Sequence, residues 1–158
     1  MYLLDTNVIS EFRKGERSHP GVQRFFARVQ DNLIFLPAQV IGEIQAGIAR
    51  LRRSGSEADK SRADAYTDWL DGLVAQHANR IIGFDSDAAR IWGALLSNEK
   101  KDPHTIDKQI AALALMHDLT VVTRDKGEAF TRIPGLKVYN PFNDDDPNGN
   151  DNSYALAA

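Results

Sequence analysis

The chain reads as a single α/β domain, a central, mostly parallel five-stranded sheet flanked by helices. Three observations predict this. Five short apolar runs (Tyr2 to Leu4, Leu33 to Leu36, Ile81 to Phe84, Leu119 to Thr123 and Leu136 to Tyr139) are nearly continuous rather than alternating, as in strands covered on both faces. Segments with apolar residues at helical spacing lie between most of these runs and supply crossover connections. The length of 158 residues and a hydrophobic content of 42% suit one domain with a real core.

Each element has a local reason. Asp5-Thr6-Asn7 follows the first apolar run with capping residues, predicting a helix over about 7–13. Pro20 opens a helix with Val22, Phe25, Phe26 and Val29 on one side. Pro37 ends the second strand and lets a helix start cleanly, running over about 38–53. Arg53-Ser54-Gly55-Ser56 is a turn, and a helix over about 57–76 carries Tyr66, Trp69, Leu70 and Leu73. Asp85-Ser86-Asp87 caps a helix running towards Asn98, and helix resumes over about 104–117 after a polar connection. No internal repeat or second domain is visible.

Composition narrows the chemistry. With no cysteine, disulfides, zinc–thiolate sites and thiol nucleophiles are excluded, and a reducing compartment is compatible. The first apolar run is interrupted at Asp5, so no signal peptide is expected. No segment is long and apolar enough to span a bilayer. A cytoplasmic protein without a membrane partner is the expectation. Net charge is −3, but residues 143–158 hold Asp144, Asp145, Asp146 and Asp151 and no Lys or Arg. The rest has 19 basic and 18 acidic residues, a balance of +1, so a local basic rim can still meet RNA. This acidic, Asn- and Gly-rich end reads as a disordered tail. Its last residues, Tyr154-Ala155-Leu156-Ala157-Ala158, look like the end of a bacterial trans-translation degradation tag.

Four acids stand where packing alone would not put them. Asp5 and Asp125 follow apolar strands at their carboxyl ends, where open α/β sheets bind ligands. Asp107 falls between the directions of Ile110 and Ala111 at about 100° per residue, on the core side of its helix. Glu43 sits at the edge of an apolar arc of Val40, Ile41, Ile44, Ile48 and Leu51. Singly, each has a plain structural explanation: helix capping for Asp5, backbone satisfaction for Asp107, a flank acid paired with Arg50 for Glu43, a turn residue for Asp125. Together they can converge on one crevice and hold a hard divalent cation through oxygens. Such a cation polarises a phosphodiester, lowers the pKa of a bound water and stabilises the leaving oxygen.

Arg13, Lys14, Arg124 and Lys126 flank that crevice in sequence and are candidate RNA contacts, although solvated surface charge suits any one of them, and Lys108 likewise. His19, His77, His104 and His117 show no metal-binding spacing and read as surface or capping residues. His104 lies one turn before Asp107, near the crevice rim. Trp69 and Trp92 read as core or dimer contacts rather than stacking platforms.

The segments LLDTNVIS, IGEIQAG, IDKQIAALAL and TVVTRDKGEAF together resemble the PIN-domain nucleases, and more closely the VapC/FitB-type toxins of toxin–antitoxin pairs. The resemblance covers residues 1–142. It implies a PIN-like domain there and places the family's acidic quartet on Asp5, Glu43, Asp107 and Asp125. Many VapC-type members have Asn after Thr-Arg and an acid three residues later. Here Asp125 and Glu128 take those places, so either can be the fourth acid. Thr6 and Asn7 complete the opening motif, and Thr123 is placed to orient a water. The resemblance further implies an endoribonuclease dependent on Mg²⁺ or Mn²⁺, a homodimer, and an antitoxin that occludes the site and assembles with the toxin on operator DNA. Two other classes remain open: a non-catalytic RNA-binding module with an acidic pocket, and a phospho-acceptor receiver domain. The receiver wants an acid ending its third strand, which here ends at Phe84. A haloacid-dehalogenase-like phosphatase wants an acid at Asn7.

Overall fold

The computed structural model describes residues 1–96, 102–124 and 129–143. Five strands, β1 (Tyr2–Leu4), β2 (Ile34–Pro37), β3 (Ile81–Ile82), β4 (Thr120–Val122) and β5 (Lys137–Tyr139), form one sheet in the order β3-β2-β1-β4-β5. Every neighbouring pair is parallel, with Leu3 opposite both Phe35 and Val121. The expected five-stranded sheet is therefore wholly parallel. Among the described residues, six α-helices flank it: α1 (Thr6–Phe12), α2 (Pro20–Arg28), α3 (Ala38–Arg53), α4 (Glu57–Gln76), α5 (Ser86–Leu95) and α6 (Thr105–Met116).

β1 is the centre of the sheet and is buried along its whole length, as are Val121 and Val122 of β4. Phe25 seals one side with an edge-on contact to Tyr2 at 5.3 Å between centroids. Ile110, Ala111, Leu113 and Ala114 of α6 join the same core, their small members letting the helix lie close to the strands. A satellite core of Ile48, Ala63 and Leu70 ties α3 to α4, which pack along each other as a helical arm.

Most boundaries match the local signals. Ser56 caps α4 by accepting from the Asp59 amide at 3.1 Å, and Asp85 caps α5 through two amides. Strand β3 is shorter than the apolar run suggested, because β2 reaches only Pro37 before turning into α3 and leaves Gly83 and Phe84 without a partner strand. Phe84 instead packs edge-on to Trp92, whose indole donates to the Thr105 carbonyl at 3.2 Å and joins α5 to α6. Trp92 is thus a packing residue. Helix α5 ends at Leu95, short of the expected Asn98, which lies outside the described residues. Of the two roles expected for His77, surface or capping, it takes the second: it is the C-cap of α4, is 6% exposed and has its Nδ1 3.0 Å from the Leu73 carbonyl oxygen. The tail from residue 144 onward, including the trans-translation-like end, also lies outside the described residues.

Candidate functional site

The strand order reverses direction at β1: the chain passes from β1 to β2 on one side, and β4 lies on the other. The crevice at the carboxyl ends of β1 and β4 is the switch point where parallel sheets bind ligands. Asp5 and Thr123 stand on its two lips, and the Asp5 amide extends the ladder to the Val122 carbonyl at 3.0 Å.

Asp5 is 6% exposed and accepts three hydrogen bonds: from the Thr6 amide at 2.7 Å, the Asn7 side-chain amide at 2.6 Å and the Thr123 hydroxyl at 2.6 Å. Burial pushes its carboxyl from the ordinary 3.8 up to about 6; the Thr123 and Thr6 hydrogen bonds pull it down, and the charges of Asp107 and Glu43 push it up. The dominance of burial is the important point, since three good donors do not overcome it. Asn7 ties the lips together. Its amide nitrogen reaches Thr123 Oγ1 at 3.2 Å, and its oxygen accepts from the Arg124 amide at 3.0 Å.

Glu43 lies on the rim and is exposed, where its helical spacing had suggested the edge of an apolar face. It accepts from the Thr6 hydroxyl rather than pairing with Arg50, so Thr6 touches Asp5 through its amide and Glu43 through its side chain. Asp107 is half-buried, not fully turned into the core. Its Oδ2 lies 3.2 Å from His104 Nδ1. Lys108, expected on the surface, forms a largely buried ion pair with Asp102, which also accepts from the His104 amide at 2.9 Å. A short chain of contacts thus runs Lys108–Asp102–His104–Asp107. Asp125, Lys126 and Glu128 lie outside the described residues.

The basic candidates divide. Lys14 is bound to Glu11 at 2.6 Å, and the Arg124 guanidinium lies 3.8 Å from the centroid of the Phe142 ring. Arg13 turns towards α4 and sits 4.0 Å from the Tyr66 centroid and 5.4 Å from that of Trp69. Sequence reading missed Glu11, which is buried and also accepts from the His19 amide at 3.0 Å, and it missed the Tyr66 contact. The Glu11–Lys14 pair has a local signal in its i,i+3 spacing, whereas no local signal pairs Arg13 with Tyr66, far along the chain. A separate apolar groove of about 480 Å³ lies between α1, α2 and α4, lined by Phe12, Phe26, Val29, Trp69 and Leu73. Phe12 stays 45% exposed there, stacked on Phe26 at 3.8 Å.

Among the described residues, no three His, Asp or Glu side chains are grouped as a ready cage for a metal ion. The donors still suit a hard divalent cation. They are carboxylate and hydroxyl oxygens, and the buried Asp5 carboxyl is one whose ionised form a cation would stabilise. No helix among the described residues is long and apolar enough to cross a membrane.

Comparison with known proteins agrees with this architecture. The family model described as "PIN domain" matches residues 2–136. Toxin FitB of Neisseria gonorrhoeae is 31% identical over 147 residues, spanning 91% of this chain and 100% of the relative. A VapC ribonuclease of Sinorhizobium fredii is 33% identical, spanning 90% and 98%. The solved structure of FitAB bound to a DNA fragment superposes with a TM-score of 0.71 at 29% identity, covering 90% of this chain and 96% of that one. With a family model matching most of its length and relatives this similar end to end, the chain belongs to the PIN-domain family.

Proposed function

We propose that this protein is the toxin of a toxin–antitoxin pair and acts as an endoribonuclease dependent on Mg²⁺ or Mn²⁺. The observation that carries the reading is the buried Asp5 carboxyl at the switch point, with its pKa raised to about 6 and the charges of Asp107 and Glu43 acting on it. A fold that needed only a helix cap there would have no reason to keep two further acids close enough for their charges to act on Asp5.

Asp5, Glu43 and Asp107 would hold the cation, with Asp125 or Glu128 as the fourth acid. When bound, the cation supplies charge neutralisation at the phosphate and a more acidic water. The chain supplies the rest. Thr6 and Asn7 fix the orientation of Asp5 and Glu43 through their hydrogen bonds. Thr123 donates to Asp5 and carries lone pairs towards the same crevice, where its hydroxyl can orient an attacking water. Arg124 follows β4 on the other lip, and we assign it, with Lys126 two residues further along the sequence, to the phosphates of the RNA.

FitB and the VapC ribonuclease support both the toxin and the RNA reading, and the structure of FitAB bound to a DNA fragment supports assembly with a partner on DNA. The apolar groove beside the exposed Phe12 is the surface we assign to the antitoxin's apolar segment. A homodimer working in the cytoplasm completes the proposal.

The test is direct. Antitoxin-free protein is incubated with total bacterial RNA in Mg²⁺, in Mn²⁺ and in EDTA, beside a folded Asp107→Asn variant. Discrete metal-dependent fragments absent from the variant support the reading. Tight, metal-independent RNA binding without cleavage would instead identify a binding module.

A further inference from the structure

The recess next to Glu43 is built differently from the acidic crevice. Thr6, Arg13, Glu43, Arg50, Tyr66 and Trp69 line a cavity of about 290 Å³ between α1, α3 and α4. It shares Thr6 and Glu43 with the crevice, so whatever occupies it adjoins the reacting phosphate. Its wall combines a cation with aromatic rings. The Arg13 guanidinium lies 4.0 Å from the Tyr66 centroid and 5.4 Å from that of Trp69. Hydrogen bonds from Arg62, then from Arg13, hold the Tyr66 phenol below the ordinary tyrosine value, so the hydroxyl as well as the ring face is engaged. Arg13 is therefore held in position rather than free to sweep through solvent.

The basic charge continues outward along α3. Arg50 lines this recess and the next one, which Glu43 and Arg53 also line. Nearby cations are committed elsewhere: Arg52 to Asp64 at 2.8 Å and Lys60 to Glu57 at 2.6 Å. Among the described residues, no carboxylate pairs with Arg13 or Arg50. On the opposite side, Lys14 is tied to Glu11 and Arg124 to the Phe142 ring. Single-stranded RNA is bound by aromatic or guanidinium planes that take a base, beside basic groups that follow the backbone. Both parts meet here, in a recess sized for one nucleotide and next to the acids.

We propose that this recess is a nucleotide subsite for single-stranded RNA: a base flanking the scissile bond stacks on the Arg13–Tyr66 wall, and Arg50 takes an adjacent phosphate. The inference rests on the nuclease reading above and gives the strand a direction, out of the crevice along α3. Arg13 here contacts a base, where the sequence suggested only phosphate or solvent.

The test uses the full chain carrying Asp107→Asn, in Mg²⁺, so that RNA binds without being cut. Fluorescence anisotropy is read with a labelled single-stranded RNA and with an abasic ribose-phosphate oligomer of equal length. Arg13→Ala and Tyr66→Leu are each expected to weaken RNA binding roughly tenfold, with Tyr66→Leu leaving the abasic oligomer unaffected. Arg50→Ala, at an exposed position, should weaken both ligands and lower the salt slope by about one. Parental RNA affinity in folded Arg13→Ala and Tyr66→Leu proteins overturns the subsite, and so do equal losses on RNA and abasic oligomer. If the chain with its native Asp107 cuts RNA while those variants bind like the parent, only the subsite fails. If it neither binds nor cuts, the nuclease reading itself has failed.

Discussion

Burial of Asp5 has a measurable cost in the metal-free protein. The carboxyl titrates near 3.8 when exposed and at about 6 in the fold. Below pH 3.8 both states hold the proton and there is no penalty. Between the two values the folded state holds more proton than the unfolded one, so stability falls as pH rises. Above pH 6 both are ionised and the loss is complete. A gap of about two pH units at about 1.4 kcal/mol each gives roughly 3 kcal/mol. The side chain is nearly inaccessible, so solvent screening does not reduce this much. The perturbation is a pH change from 4.0 to 7.5 in EDTA, compared between the parent and Asp5→Asn so that other titrating groups largely cancel. Urea unfolding is the assay. The parent should lose about 2 to 3 kcal/mol relative to the variant, a difference in midpoint shift of about 1 M or more. Mg²⁺ at pH 7.5 should restore part of the parent's loss and none of the variant's. A relative change within about 0.5 kcal/mol would refute the argument, because it would mean that Asp5 ionises at its ordinary pH and that burial does not strain it.

Three further outcomes follow from named contacts. Thr123→Val removes a buried donor to Asp5 and should cost about 1–3 kcal/mol in denaturant unfolding, while slowing RNA cleavage at saturating metal. Asp102→Asn breaks the largely buried pair with Lys108 and should destabilise by about 3–5 kcal/mol, whereas replacing both partners with apolar residues of similar volume should recover much of that in the same assay. Phe12→Glu places a charge in the apolar groove; it should abolish antitoxin capture in pull-down while leaving RNA cleavage and melting temperature near the parent's, because Phe12 is already 45% exposed.

The elements were legible wherever a local signal settled them. Pro37 and Ser56 mark the starts of α3 and α4, and both helices fall where the sequence puts them. Continuous apolar runs announced a parallel sheet because the central strands, β1 and most of β4, are buried. Phe84 misled because an apolar run extends a strand only if a partner is beside it, and β2 has already ended at Pro37. Within the site, Asp5 stood out because an acid ending an apolar strand is unusual in itself. Glu43 was placed too deep: the helical wheel gives a direction but not how far a neighbouring helix extends to cover it. Lys108 was placed too shallow, since its partner Asp102 precedes the helix and cannot be read from helical spacing. The Arg13 contacts with Tyr66 and Trp69 depend on how the α3–α4 arm folds back against α1, a tertiary outcome without a local signature.

The hydrogen bonds joining Asp5 and Asn7 to Thr123 and Arg124 connect residues 116 to 118 positions apart. The first half of the site is therefore made more than a hundred residues before the second. Strand β1 also waits for β4, its neighbour on that side of the sheet. A partly synthesised chain holds Asp5 without the hydroxyl and the strand that position it, so the crevice is not assembled until β4 and Thr123 have been made. The order of the strands acts as a timer: on the nuclease reading proposed above, the protein becomes competent to cut RNA only after β4 has been made.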